Sequence, residues 1–271
     1  MLIIAMNVAP MNDTNQVPSQ EEGQLFPRPF RLRSIRWALA AGALALALLP
    51  FADHTYNRIY NFLCSLPLDE FFSTTAQYAC PTTIVTLVFC IFLLDAPKRK
   101  YVPYLLAALL FGWIGHETIK QVSGRARPER SVRINDEGSR KILRDAQKYI
   151  LSHPETPMHI EPRDQWLFMK PGRPWFNSLF SSFPSGHSNA IFCVAAFLTV
   201  IYSRGRILWF VLAAGCAFAR VRYRRHFPED VLFGGAMGWV VAQWVFSWRW
   251  PLLLGEKIEN RYFVKNPSSK V

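Results

Sequence analysis

The sequence predicts an all-α fold, a six-helix transmembrane bundle with one long extracytoplasmic loop between helices 3 and 4. Three observations predict it. Of the 271 residues, 51% are hydrophobic, and they are gathered in blocks rather than spread through the chain. Six apolar runs of about 13–19 residues can be marked, against the roughly 20 residues that span a hydrocarbon core. One polar stretch of some sixty residues separates the third run from the fourth, too long for a plain connector in a compact domain.

The elements follow in order. Residues 1–36 read as a flexible tail whose end is crowded by Arg28, Arg31, Arg33 and Arg36. Residues 37–250 read as the membrane domain. Its first run, Trp37 to Ala52, is taken as an uncleaved anchor: as a signal peptide it would have an unusually long charged region and no clear small-x-small cleavage site. Residues 53–80 carry Tyr56, Tyr60, Phe62, Phe71 and Phe72 and suit the membrane interface. Pro81 precedes the run Thr82–Leu94, closed by Lys98, Arg99 and Lys100; Tyr101–Ile119 is the third run. Residues 129–183 form the insert loop. In it Ile142, Ala146, Tyr149 and Ile150 recur at helical spacing and predict an amphipathic helix near 139–152, while Trp166, Trp175, Phe176 and Phe180 suit a bilayer surface. Ser188–Ser203, Ile207–Ala219 and Val231–Trp248 complete the six, the last with small residues at 234–238 that allow close helix packing. Residues 251–271 read as a basic and polar tail.

Charge sets the orientation. With the amino terminus inside, the inner loops and tail hold fourteen Lys and Arg, and the first outer loop only Arg58. Both termini are then cytoplasmic, in a multi-pass protein of the inner membrane. The turn at 220–230 breaks the rule with Arg220, Arg222, Arg224 and Arg225. A net charge of +12 points to nucleic acid, an anionic membrane surface or an anionic substrate, and the apolar blocks make nucleic acid the least suitable partner. Cys90, Cys193 and Cys216 lie in apolar runs as packing residues; Cys64 and Cys80 share a mixed segment and could pair on an oxidising face.

Three polar clusters fall on the same outer face. Lys120 and Arg127 are seven apart, so a continuing helix would put both on one side before Pro128 stops it; two cations there suit a phosphate, as they would a basic helix flank at the headgroups. Pro184-Ser185-Gly186-His187 opens a helix whose free first-turn amides can take an anion, with Gly186 letting the backbone approach it. In the third cluster His226 precedes Pro228, and Asp230, one turn on, can hold one imidazole nitrogen and leave the other free as a nucleophile. His116 and Glu117 either support Lys120 or are polar residues at a helix end, and His54, His153 and His159 read as loop residues.

These clusters resemble the three signature motifs of the type-2 phosphatidate phosphatase and vanadium haloperoxidase superfamily: Lys, six residues, Arg-Pro; Pro-Ser-Gly-His; and Ser-Arg, five residues, His, three residues, Asp. The match is Lys120 with Arg127-Pro128, then Pro184 to His187, then Arg220, His226 and Asp230, with Ala219 in place of the family's Ser. The resemblance implies that His226 attacks phosphorus and carries a phosphohistidine, with Asp230 orienting it. It implies that His187 protonates the leaving oxygen and later helps activate water. Lys120, Arg127, Arg220, Ser185 and Gly186 would hold the phosphoryl oxygens, with no metal and no cofactor. The implied substrate is a phospholipid, isoprenoid or glycolipid phosphate, cut by a membrane phosphatase whose site faces away from the cytosol. Arg222, Arg224 and Arg225 would meet a second phosphate or anionic lipid. The alternatives are a vanadate-dependent haloperoxidase, and a non-catalytic membrane protein that binds or transports phospholipid.

Overall fold

The computed structural model describes residues 25–125, 127–128 and 181–263. The expected helix at 139–152 and the aromatic residues of the insert loop lie outside the described residues, as do His153 and His159. All regular structure among the described residues is helical. The helices are α1 (Leu32–Leu48), α2 (Ala52–Ser65), α3 (Asp69–Thr75), α4 (Pro81–Leu94), α5 (Val102–Ser123), α6 (Gly186–Ile201), α7 (Arg206–Arg222), α8 (Pro228–Val245) and α9 (Trp250–Tyr262).

Each start and stop has a local cause. Pro81, Pro103, Pro228 and Pro251 stand in first turns, where a missing N–H costs nothing. Ser185 caps α6 by accepting from the Ser188 amide. Gly124, at φ 53°, ends α5 in the left-handed conformation that glycine takes at little cost. The helix therefore stops three residues short of Arg127, and Lys120 and Arg127 do not share a helix face as the spacing predicted.

All six apolar runs are helical, but they are not equally long. Leu32–Phe51 and Ala96–Ser123 are long and apolar enough to cross a membrane by length and composition. Pro228–Val245 and Trp250–Tyr262 pass that test only together, across a bend of 68°. Pro81–Leu94 and Gly186–Ile201 are apolar but have 14 and 16 residues, short of a full span. In α7 the charges Arg206, Arg220 and Arg222 lower the hydropathy. The clear membrane-crossing candidates among the described residues are thus fewer than the expected six.

α6 and α8 form the centre, and α8 approaches α6 through glycine. A Cβ on Gly234 would lie 2.4 Å from the Ser185 carbonyl oxygen, and one on Gly238 would lie 2.2 Å from that of Asn189. α1 runs antiparallel along α8, with Trp239 donating to the Ser34 carbonyl at 2.8 Å. α2 and α3, in the segment read as interfacial, pack on the last turns of α7: Arg222 donates to the Leu63 carbonyl and pairs with Asp69.

At the opposite end, the stretch read as an arginine-rich flank contributes a buried residue. Phe26 has no exposure and packs among Tyr101, Tyr104, Phe197 and Phe246, with Arg28 N–H donating to the Phe246 carbonyl at 2.8 Å. Nearby Asp95 accepts from Lys98 and from the Tyr202 hydroxyl, both at 2.8 Å; burial resists its charge, but these partners win and hold its carboxyl below the usual range. α9 was not foreseen in the polar tail. It docks with Gly255 against the Lys100 backbone and Leu252 buried. All five cysteines are free thiols, Cys64 and Cys80 included.

Candidate active site

Four element ends meet at one end of the bundle: the last turns of α5 and α7 and the first turns of α6 and α8. They bring the three sequence clusters together. His187, in the first turn of α6, lies within electrostatic reach of Lys120, Arg127, Arg220 and His226. Arg220 is in the last turn of α7, and its carbonyl accepts from the Arg225 and His226 amides at 2.9 and 3.3 Å, which folds the turn that carries His226. Lys120 is in the last turn of α5, with Nζ 3.9 Å from Glu117. Arg127 reaches the Ser181 hydroxyl at 3.4 Å.

The backbone at Gly186 comes close to these side chains. A Cβ there would sit 2.8 Å from His116 Nε2 and 3.4 Å from Lys120 Nζ. His116 is buried, with Nδ1 3.0 Å from the Gly112 carbonyl, so it lies under the Gly186 backbone rather than at a loose helix end. Ser185 is fully buried; its amide donates to the Asp230 carbonyl at 3.0 Å, which ties the starts of α6 and α8 together.

His226 is 3% exposed, and its Nδ1 is 2.8 Å from the Ser182 carbonyl oxygen. A carbonyl only accepts, so Nδ1 carries the proton and Nε2 keeps its lone pair. Asp230 was expected to hold this imidazole directly. Its Oδ2 stands 3.9 Å from Nδ1, beyond hydrogen-bond range. That oxygen accepts instead from the Ser182 hydroxyl at 2.5 Å and the Phe227 amide at 3.0 Å, while Oδ1 faces Arg125 at 2.5 Å. Asp230 therefore acts on His226 from a distance and through Ser182. Burial pushes the His226 imidazole down to about 4; Asp230 pulls the other way, and Arg127 and Arg220 add to the fall.

Arg125, Glu229 and Ser182 were not singled out from sequence. Arg125 is fully buried, forks to Glu229 at 2.6 Å and Asp230 at 2.5 Å, and lies 4.1 Å above the Phe227 ring. Burial opposes its charge, but the two carboxylates outweigh that and raise it above the ordinary guanidinium value. The adjacent acids at 229 and 230 were the available signal, since two buried carboxylates demand a cation. Ala219, where the resembled family has serine, belongs to an apolar cluster with Tyr56, Tyr60, Phe72 and Phe227. Arg222 and Arg224, considered for a second phosphate, are taken up elsewhere. Arg222 binds α2 and α3, and Arg224 is buried 4.6 Å over the Tyr60 ring. Among the described residues, no group of three or more His, Cys, Asp or Glu is placed to hold a metal ion.

Comparison with known proteins gives local relatives and distant folds. The chain is 36% identical over 62 residues to a lipid A 1-phosphatase of Rhizobium johnstonii, covering 23% of this chain and 25% of the relative. It is 33% identical over 89 residues to the bacitracin transport permease protein BcrC of Bacillus licheniformis, covering 30% of this chain and 43% of that one. The chain thus spans between a quarter and less than half of the length of these curated relatives. Among solved structures, Aquifex aeolicus LpxE aligns with a TM-score of 0.44 and 19% identity over 75% of this chain and 94% of its own. A PAP2-type phosphatidylglycerolphosphate phosphatase from Bacillus subtilis aligns at 0.47 and 16%, over 90% of this chain and 100% of its own. The model of the PAP2 superfamily matches residues 100–253, a segment that contains all three polar motif clusters and more than half of the sequence, and the chain belongs to that superfamily.

Proposed function

We propose that this protein is an integral membrane phosphatase that hydrolyses a lipid phosphomonoester or lipid diphosphate through a phosphohistidine intermediate. The observation that carries it is the His226 tautomer: Nδ1 is spent on the Ser182 carbonyl and Nε2 is left as a nucleophile, within reach of Arg127, Arg220 and His187. Nε2 attacks phosphorus as the bond to the leaving oxygen breaks, and His187 gives that oxygen a proton. Water then attacks the phosphohistidine, its proton passes to His187, and phosphate leaves from a neutral His226. Lys120, Arg127 and Arg220, with Ser185 and the Gly186 amide, hold the phosphoryl oxygens where charge develops, in the place a metal would otherwise take.

The lipid half of the proposal is supported by the apolar surface. Leu32, Trp37, Phe89, Leu94 and Ile207 are 72%, 75%, 59%, 83% and 74% exposed, which water disfavours and acyl chains do not. The proposal includes six spans in the inner membrane, with both termini cytoplasmic and the site outside. The loop bearing Lys98, Arg99 and Lys100 lies at the end of α5 remote from the site, as that orientation requires. With Arg222 and Arg224 taken up by α2 and α3, a large polyanionic headgroup draws its support from the lipid A 1-phosphatase relatives.

Purified protein assayed in mixed micelles against phosphatidate, phosphatidylglycerol phosphate, polyprenyl diphosphate, lipid A phosphate and a soluble phosphate ester is expected to prefer one lipid by about 100-fold over the soluble ester. Equal rates on the soluble ester would remove the lipid claim. The reactive imidazole is the neutral one, and burial holds its pKa near 4. With an activated ester, whose leaving oxygen needs no proton from His187, phosphohistidine formation, corrected for the substrate's own titration, should therefore hold steady between about pH 8 and 5.5 and fall only below that. A midpoint at about 6.5, the free imidazole value, would mean that His226 is solvated and ordinary.

A further inference from the structure

The buried ring around Arg125 joins three segments distant in sequence. Arg125 forks to Glu229 and Asp230 at the start of α8, and its carbonyl accepts from the Ser182 amide at 3.0 Å. Ser182 closes the ring, giving its hydroxyl to Asp230 and its carbonyl to His226 Nδ1. Arg125 is wholly buried under Phe227 with both carboxylates in hand, so it has no face for phosphate. The cations with electrostatic reach of His187 are its sequence neighbours Lys120 and Arg127, and Arg220.

We infer that Arg125, with Glu229 as its second counter-charge, is a positioning residue for the His226 centre, clamping Asp230 and the Ser182 segment so that Nδ1 stays bonded and Nε2 stays turned to the phosphate. The inference deepens the phosphatase reading and rests on it for its kinetic arm. The groups facing the imidazole are Asp230 from α8, Arg220 from α7, His187 from α6 and Arg127 from the segment after α5. Arg125 neutralises the acidic member of that set. Without it the imidazole faces a bare carboxylate, which favours its protonated form and raises its midpoint.

The test uses the full-length protein in detergent with Arg125→Met, Arg125→Lys and the double variant Arg125→Met/Glu229→Leu. The double variant replaces a buried ion pair by an apolar pair, which folds tolerate better than a lone buried charge. Three quantities are read: orthovanadate affinity, kcat and KM on the preferred lipid, and the pH dependence of diethylpyrocarbonate modification at His226, followed by peptide mass spectrometry. Folded Arg125→Met is expected to bind orthovanadate within about 3-fold of wild type and lose about 30-fold or more in kcat with little change in KM. Its His226 midpoint should rise by about one unit. The double variant should show the same kcat loss and retained vanadate affinity. Arg125→Lys, which keeps the charge but loses the fork, should lose kcat with the midpoint unmoved.

Vanadate affinity that falls together with kcat in a folded variant would make Arg125 a ligand contact and overturn the inference. So would wild-type kcat in any folded variant, or an unshifted midpoint in Arg125→Met. Wild-type protein inactive on every lipid phosphate would instead remove the phosphatase reading and leave the His226 titration, which needs no substrate, to decide the role of Arg125.

Discussion

His226→Ala is expected to drop turnover to the background rate, a loss of at least about 1000-fold, and to abolish trapping of labelled phosphate on the protein. In the structure only Nε2 of this imidazole is left for attack, because Nδ1 is bonded to the Ser182 carbonyl. Removing the ring leaves the cations around the phosphate, which can bind and polarise it but cannot form the covalent bond. His187→Ala should behave differently. It keeps the nucleophile and loses the proton donor, so substrates with poor leaving oxygens should suffer about 100-fold while activated esters still label the enzyme. Acid-quenched protein and substrate labelled with phosphorus-32 distinguish the two variants directly. If His226→Ala turns over at a substantial fraction of the wild-type rate, the covalent route is wrong.

Gly238→Val is expected to prevent accumulation of folded protein, or to cost more than about 3 kcal/mol where some survives. The reason is what the new atoms would strike. A Cβ at Gly238 comes within 2.2 Å of the Asn189 carbonyl oxygen, and the colliding atom belongs to the α6 backbone, not to the far end of a flexible side chain. Relief requires α6 and α8 to part, and α6 is capped by Ser185 while α8 carries Asp230. Gly234→Ala should strike closer to the chemistry, because its Cβ would press on the Ser185 carbonyl at 2.4 Å. Gly42→Ala is the control: its Cβ would meet only the Ala236 methyl, at an ordinary 3.7 Å. There the helical gain of alanine over glycine predicts a small rise in stability, about 0.5–1 kcal/mol. Thermal unfolding in detergent measures all three. Gly238→Val with a wild-type melting temperature would show that the α6–α8 contact is looser than described.

Particular residues show why some of this was legible in the sequence and some was not. The apolar runs are signals made within one segment, so each of the six marked runs is helical in the structure, and Pro81, Pro103 and Pro228 mark starts that need no partner. Motif spacing placed Lys120, His187, Arg220 and His226 on element ends that meet. Arg125 was missed because its meaning lies 104 and 105 residues away, in Glu229 and Asp230; within its own segment it is one more cation beside Arg127. The stop at Gly124 was missed because Pro128 is the louder breaker, although a left-handed glycine suffices. Asp230 seemed one turn from His226 and ready to bond it, but the Ser182 carbonyl occupies that nitrogen, and no spacing rule announces a backbone oxygen from another loop. Phe26 and α9 were hidden by charged neighbours: a run of arginines after Phe26, and Glu256, Lys257, Glu259 and Arg261 just after Leu252 and Gly255.

The aromatic seat of Phe26 bears on which way matter can travel. Phe26, Tyr101, Tyr104, Phe197 and Phe246 pack ring against ring at the end of the bundle remote from His226, and Arg28 is latched to the backbone behind them. A phosphate freed at the proposed site would meet those packed rings in one direction and Lys120, Arg127 and Arg220 in the other. On the proposed reaction, discharge would be one-sided, with the cleaved phosphate returning to the compartment that presented the lipid.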